Sequence, residues 1–306
     1  MDYRLQILVI NDDDREYGSR PAPGRHLLNH RGYRHSFDRL TKHAGRGSTL
    51  RMIPLPRLSI AFMLSAALAS PSHAITGSRS APSEASARAV VTVIGSRGNV
   101  CTGALIAPNI VLTAGHCITP NTSYRVIDYT TQPPRLISTQ KIATHPQYNA
   151  QAIAAHRATA DVALLQLPSS VPNKAPGVFG APRLPIVAGA PLTVVGIGAT
   201  SSGSDAGVGT ARAAGLVVTG KPGTLQVRLV DPLTDNKRAG IGACTGDSGA
   251  PVFESQNGTN VIVGVVSWST GANNAAGCGG LTGVTPLTLY KDWIAKTARS
   301  WGAAVQ

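Results

Sequence analysis

Cysteine is scarce: there are four in 306 residues. No Cys-x-x-Cys spacing and no neighbouring His-x-x-x-His pair accompanies them, so no metal site is expected. No GxGxxG phosphate loop, kinase signature or haem motif occurs, so no cofactor is expected either. Aromatic residues make up only 5% of the chain, while 33 glycines and 21 prolines are present. That balance disfavours a helical bundle and favours many short strands joined by turns. Long apolar runs are absent as well. The longest spans residues 58–69, well short of the ~20 residues that cross a bilayer. The formal charge is +13, yet beyond residue 74 no Lys/Arg run exceeds the pair Lys237-Arg238. Without a basic stripe or interleaved aromatics, nucleic acid is not an expected partner. The charge reads as solvated surface, suited at most to adhesion on anionic envelopes or matrices.

What is present begins with an unusual leader. Residues 1–51 mix Asp12-Asp13-Asp14 with Arg31, Arg34 and Arg39 and keep no hydrophobic period. Such a stretch buries too little to fold and is expected to be disordered. Arg51-Met52 and Arg57 then precede the apolar run, and Ser70-Pro71-Ser72-His73-Ala74 follows it. A charged start, a short apolar core and a small-x-small site ending at Ala74 predict a secretion signal over residues 52–74. Such a signal normally opens a chain, so translation is expected to start at Met52, with residues 1–51 an upstream extension. Cleavage after Ala74 would leave Ile75-Thr76-Gly77-Ser78 as the new N-terminus. Export, to the medium or a periplasm, makes two disulfides the natural use of the four cysteines. Three pairings are possible, and joining near neighbours gives Cys101–Cys117 and Cys244–Cys278.

The mature part divides into short β-branched runs. Residues 78–89 read as a loop, and 89–94, 100–106 and 110–114 as strands, the last delivering Gly115-His116-Cys117. Residues 136–143 alternate like one strand. Residues 150–160 read as a short helical loop. An apolar strand at 161–167 opens with a lone acid, Asp161. Further strands are expected at 190–198, 216–218, 225–230, 261–268 and 283–285. Leu287, Tyr290, Trp293, Ile294 and Thr297 repeat at helical spacing, so residues 287–300 form a terminal amphipathic helix.

Gly246-Asp247-Ser248-Gly249 carries the chemical signal. A serine is a weak nucleophile until a base sits beside it. Gly246 permits a turn in which the N–H groups of Gly246 and Ser248 point the same way, as donors to an oxyanion. His116 is the candidate base. Asp161 is the candidate group that would hold its tautomer.

Three segments together resemble the trypsin/chymotrypsin-like serine proteases: Thr113-Ala114-Gly115-His116-Cys117, Asp161-Val162-Ala163-Leu164-Leu165 and Gly246-Asp247-Ser248-Gly249-Ala250-Pro251. They occur in the family's order. His145-Pro146-x-Tyr148 and Ser267-Trp268-Ser269 also match, and the resemblance runs from about Ile75 to the C-terminus. It implies an all-β fold of two six-stranded antiparallel β-barrels with a C-terminal helix, the first over residues 75–180 and the second over 181–306. By the same resemblance, Ser248 attacks a peptide carbonyl, His116 shuttles its proton, Asp161 orients His116, and Gly246 and Ser248 hold the oxyanion. The freshly exposed ammonium of Ile75 would pair with Asp247 and order the site.

Substrate would lie extended along Ser267, Trp268 and Ser269. Gly242 matches the floor of the specificity pocket, and Ser269 and Gly283 its walls. None carries charge, so cleavage is expected after uncharged, small-to-medium apolar residues. The reading is therefore a secreted, monomeric serine endopeptidase acting on proteins or peptides, not membrane-spanning once its signal is removed. The alternative is a non-catalytic binding or adhesion module on the same fold, which would be expected to lack one of the three residues. Ala250 stands where many relatives have glycine, and one cysteine pair common in relatives is missing.

Overall fold

The computed structural model describes residues 75–305 apart from Arg79 and His156. The expected extension at 1–51 and the expected signal at 52–74 lie outside the described residues. The described residues all belong to one compact unit.

Strands dominate because the chain supplies runs of Val, Ile, Leu and Thr too short for helices and broken by glycine or asparagine turns. In the first half, β1 (Val90–Gly95), β2 (Val100–Ala107) and β3 (Ile110–Thr113) follow one another as antiparallel neighbours. Then come β4 (Tyr124–Asp128), β5 (Arg135–Ser138), β6 (Lys141–Thr144) and β7 (Ala163–Gln166). The sheet runs β5-β4-β1-β2-β3-β7-β6. It has seven strands where six were expected. The run at 136–143 is not one strand: it breaks between Ser138 and Lys141 into β5 and β6, which pair with β4 and β7 respectively. In the second half β8 (Pro191–Gly196), β9 (Arg212–Thr219), β10 (Val227–Val230), β11 (Pro251–Gln256), β12 (Thr259–Ser269) and β13 (Thr282–Pro286) close a six-stranded barrel.

Three short helices complete the unit. Residues 84–89, expected as loop, form α1 (Glu84–Ala89), started by Ser83, whose hydroxyl accepts the Ser86 N–H. Here a capping serine outweighs the small, polar composition that suggested a loop. Asn149 caps α2 (Ala150–Ala154) in the same way, accepting from Gln151 and Ala152. At the C-terminus, a 3-10 turn (Leu287–Leu289) leads into α3 (Lys291–Ser300). Ile294 and Ala298 of α3 are buried, and the edge of the His145 ring meets Tyr290 and Trp293 at 5.1 and 4.9 Å.

Each half has its own core. Val91, Val93, Val111 and Leu165 belong to one, and Val194, Leu216, Leu229 and Val263 to the other. A third cluster takes Ile106 and Leu112 from the first half together with Val195, Ile262 and Ile294 from the second. Apolar burial at ~25 cal/mol per Å² makes this shared cluster the main adhesive between the halves. Among the described residues no helix is long and apolar enough to cross a membrane.

Disulfides join Cys101 to Cys117 and Cys244 to Cys278, closing loops of 16 and 34 residues' separation. Loop-closure entropy puts each at about 3 kcal/mol, slightly more for the longer loop. Replacing either pair by alanine should lower the urea-unfolding free energy by about that amount, with the Cys244–Cys278 deletion costing more.

Candidate active site

β3 ends at Thr113, and the chain tightens into a 3-10 turn, Gly115–Cys117, that presents His116. Cys117 is disulfide-bonded back to β2, so the turn is clamped at its far side. Asp161 lies just before β7 and is fully buried. Its Oδ1 accepts the main-chain N–H of His116 at 2.8 Å, and its Oδ2 lies 2.8 Å from the His116 Nδ1. Ser267, on β12, donates its hydroxyl to the same Oδ2 at 2.5 Å. Three hydrogen bonds compensate the desolvation of the carboxylate, as a buried charge requires. Gly115 leaves room for this packing: a Cβ there would lie 3.0 Å from the Tyr148 ring and 3.2 Å from Oδ1 of Asp161. Burial pushes the Tyr148 phenol up to about 12, and the nearby negative charge of Asp161 adds to the shift. Burial and then Asp161 also raise Tyr290.

Ser248 sits in a turn between Gly246 at φ +92° and Gly249 at φ +79°, conformations that a side chain disfavours. The turn is bolted to the first half by Thr102 of β2. The Thr102 N–H donates to the Ser248 carbonyl and its hydroxyl to the Gly246 carbonyl, both at 2.8 Å. The Thr102 carbonyl accepts from Thr113 Oγ1 at 2.8 Å, and its hydroxyl also accepts the Ile197 N–H at 3.3 Å. Thr102 was not singled out in the sequence. A threonine in a strand carries no mark of the four bonds it makes. Asp247, Gly249 and Ala250 donate to Cys244, Val266 and Asp247 carbonyls. The N–H groups of Gly246 and Ser248 have no acceptor among the described residues. No hydrogen bond links the Ser248 hydroxyl to the His116 ring among the described residues. Such bonds often tighten only when a substrate is bound.

Of the expected pocket residues, Gly242 is buried against Gly279, where a Cβ would lie 3.2 Å from its Cα. Ser269 pairs with Thr282 across β12 and β13, and Trp268 with Gly283. A Cβ on Gly283 would fall 2.1 Å from Cε2 of Trp268, so the indole lies over it. The preceding residue, Thr282, is fully buried, and its Oγ1 accepts the Ala243 N–H at 3.0 Å. The register between β12 and β13 shifts between Val266 and Trp268.

The Trypsin family model matches residues 75–294. The chain belongs to the trypsin family. Human chymotrypsin-like elastase family member 1 is 30% identical to it over 224 residues, which cover 65% of this chain and 81% of that one. Trypsin 5G1 of Aedes aegypti is 29% identical over 208 residues, covering 63% and 73%. Among solved structures, human heparin binding protein is similar with a TM-score of 0.55 at 24% identity, over 72% of this chain and 95% of that one. At that identity the likeness shows the fold. Membership in the trypsin family carries a serine-protease-type function. Among the described residues there is no group of three or more His, Cys, Asp or Glu that could hold a metal ion.

Asp247 is, with Asp161, one of two fully buried aspartates among the described residues of this trypsin-family chain. Its Oδ1 accepts the Gly198 N–H at 2.8 Å and its Oδ2 the Cys244 N–H at 2.9 Å. Ile75, expected to pair with it, is fully buried, and its carbonyl accepts the Ser78 N–H. In the intact chain the Ile75 nitrogen is an amide and carries no charge. Desolvation pushes the Asp247 carboxyl up to about 7, against the opposing hydrogen bonds of Cys244 and Gly198 and the charge of Arg212. Its folded pKa exceeds its unfolded one. The folded chain therefore retains a proton that the unfolded chain releases, and stability declines as pH rises from about 4 to about 7. Asp247→Asn in the intact chain should flatten that segment of the melting-temperature profile; an unchanged slope would show that another group causes it.

Proposed function

We propose that this chain is an exported serine endopeptidase in which Ser248 attacks the peptide carbonyl, His116 takes and returns the proton, and Asp161 orients and charge-balances His116. The observation that carries this reading is the fully buried Asp161 carboxylate bonded to both the main chain and the ring of His116. It favours the tautomer with hydrogen on Nδ1, which leaves Nε2 free to accept. As the imidazole gains a proton during attack, the carboxylate stabilises the imidazolium. The unused N–H groups of Gly246 and Ser248 support their role as donors to the oxyanion, where losing one such donor typically costs ~10²–10³ in rate. An exported location accords with the two disulfides. Residues 75–180, with the seven-stranded sheet, and residues 181–306, with the closed barrel, would act as two domains around one cleft. A free ammonium at Ile75 would balance the charge of Asp247.

Substrate would add as a strand beside Ser267, Trp268 and Ser269. Gly242 would provide a chargeless floor, and Ser269 and Gly283 chargeless walls. This supports cleavage after small-to-medium uncharged residues. The non-catalytic reading has no observation in its favour, since all three chemical residues are kept.

A fluorophosphonate probe should label Ser248 in the protein beginning at Ile75, and Ser248→Ala should abolish both labelling and peptide cleavage. A wild-type protein that resists the probe and leaves a peptide library intact would overturn the reading.

A further inference from the structure

Asp247 presents a physical problem in the intact chain. It is fully buried, and two main-chain N–H groups meet its oxygens. Removing an ion from water costs several kcal/mol even after relaxation, and neutral donors recover only part of that cost. The carboxylate occupies the place where a side chain at Gly196 would be: a Cβ there would lie 2.1 Å from Oδ1. It therefore rests on the face of β8 toward which position 196 points.

The residue directly opposite Gly196 on β9 is Arg212. Directly opposed residues of an antiparallel pair project to the same face. Arg212 is itself buried, at 6% exposure. Its Nη1 donates to the carbonyls of Gly207 and Thr210 at 3.1 and 3.3 Å, which hold the guanidinium inside the loop between β8 and β9. A buried arginine and a buried aspartate thus share one face of one strand pair. Their attraction acts on both: burial lowers the Arg212 pKa while Asp247 raises it, and Arg212 lowers that of Asp247.

We propose that Arg212 is a positioning residue, a resident cation whose attraction favours the ionised form of Asp247 and holds the turn at 246–248 in place before Ile75 carries a free ammonium. The proposal rests on the endopeptidase reading and adds a regulatory property to it. A chain with residues still attached ahead of Ile75 retains measurable turnover instead of being a silent precursor. The ammonium, once freed, strengthens an arrangement that already exists. Arg212 also couples the loop carrying Gly207 and Thr210 to the oxyanion donors, through Asp247.

The test compares two proteins, one beginning at Ile75 and one carrying Ser72-His73-Ala74 ahead of it, each with Arg212, Arg212→Met and Arg212→Lys. The quantity read is the ratio of kcat in the extended protein to kcat in the free one, with the labelling rate by a fluorophosphonate alongside. With Arg212 the extended protein should turn over substrate. Arg212→Met should lower the ratio at least about tenfold, a difference of about 1.4 kcal/mol in the ordering equilibrium. KM should change little, because fewer molecules are competent while the competent ones are unaltered. Arg212→Lys, which keeps the charge, should restore most of the ratio. A wild-type extended protein with no turnover, or a ratio that Arg212→Met leaves unchanged, would overturn the proposal. If Arg212→Met silences both forms, Arg212→Lys decides: a restored ratio supports the resident cation, and an equal loss in both forms refutes it. Failure of the endopeptidase reading would look different, since the wild-type protein beginning at Ile75 would then neither cleave nor label.

Discussion

The buried carboxylate of Asp161 receives hydrogen bonds from the main chain and ring of His116 and from the hydroxyl of Ser267. Those three donors come from the turn after β3 and from β12, so one ion gathers segments from both halves of the fold. A buried acid depends on such donors to offset its loss of water. Ala160 and Val162, on either side of Asp161, belong to the apolar cluster shared by the two halves, with Ile106, Leu112, Val195 and Ile262. The hydrogen bonds tie the imidazole to that packed seam.

The second ionic constraint, Asp247, follows the same logic by different means. Its space is made by an absence, the missing side chain of Gly196, and its oxygens are met by the amides of Gly198 and Cys244, with Arg212 opposite Gly196 on the paired strand. In the proposed reaction one fully buried acid would set the base and the other the donors around Ser248. Their partners differ accordingly. Asp161 bonds to an imidazole that must gain and lose a proton, whereas Asp247 faces groups whose protonation does not change during a reaction cycle.

Much of this was legible in the sequence. The order of His116, Asp161 and Ser248, the positive-φ glycines around the serine, and the β-branched runs were local signals, and local signals survive without coordinates. The two strands around 138–141 were read as one because alternation persists through their junction, while β4 and β11 escaped notice amid polar neighbours. The register shift between Val266 and Trp268 left no mark for a cause of another kind, because a bulge leaves composition untouched. Thr102 and Arg212 were invisible for a third reason. Gly246 and Ser248, which Thr102 holds, and Asp247, which faces Arg212, lie more than 30 positions from them, and a threonine or arginine in a strand looks ordinary until its partners are known.

Thr102 uses its amide, its carbonyl and both capacities of its hydroxyl on four different residues, from Thr113 to Ser248. Three of these bonds, to Gly246, Ser248 and Ile197, cross from the first half to the second. Sliding one sheet over the other would have to sever them together. A single strand residue thereby ties the backbone around Ser248 to the sheet beneath it.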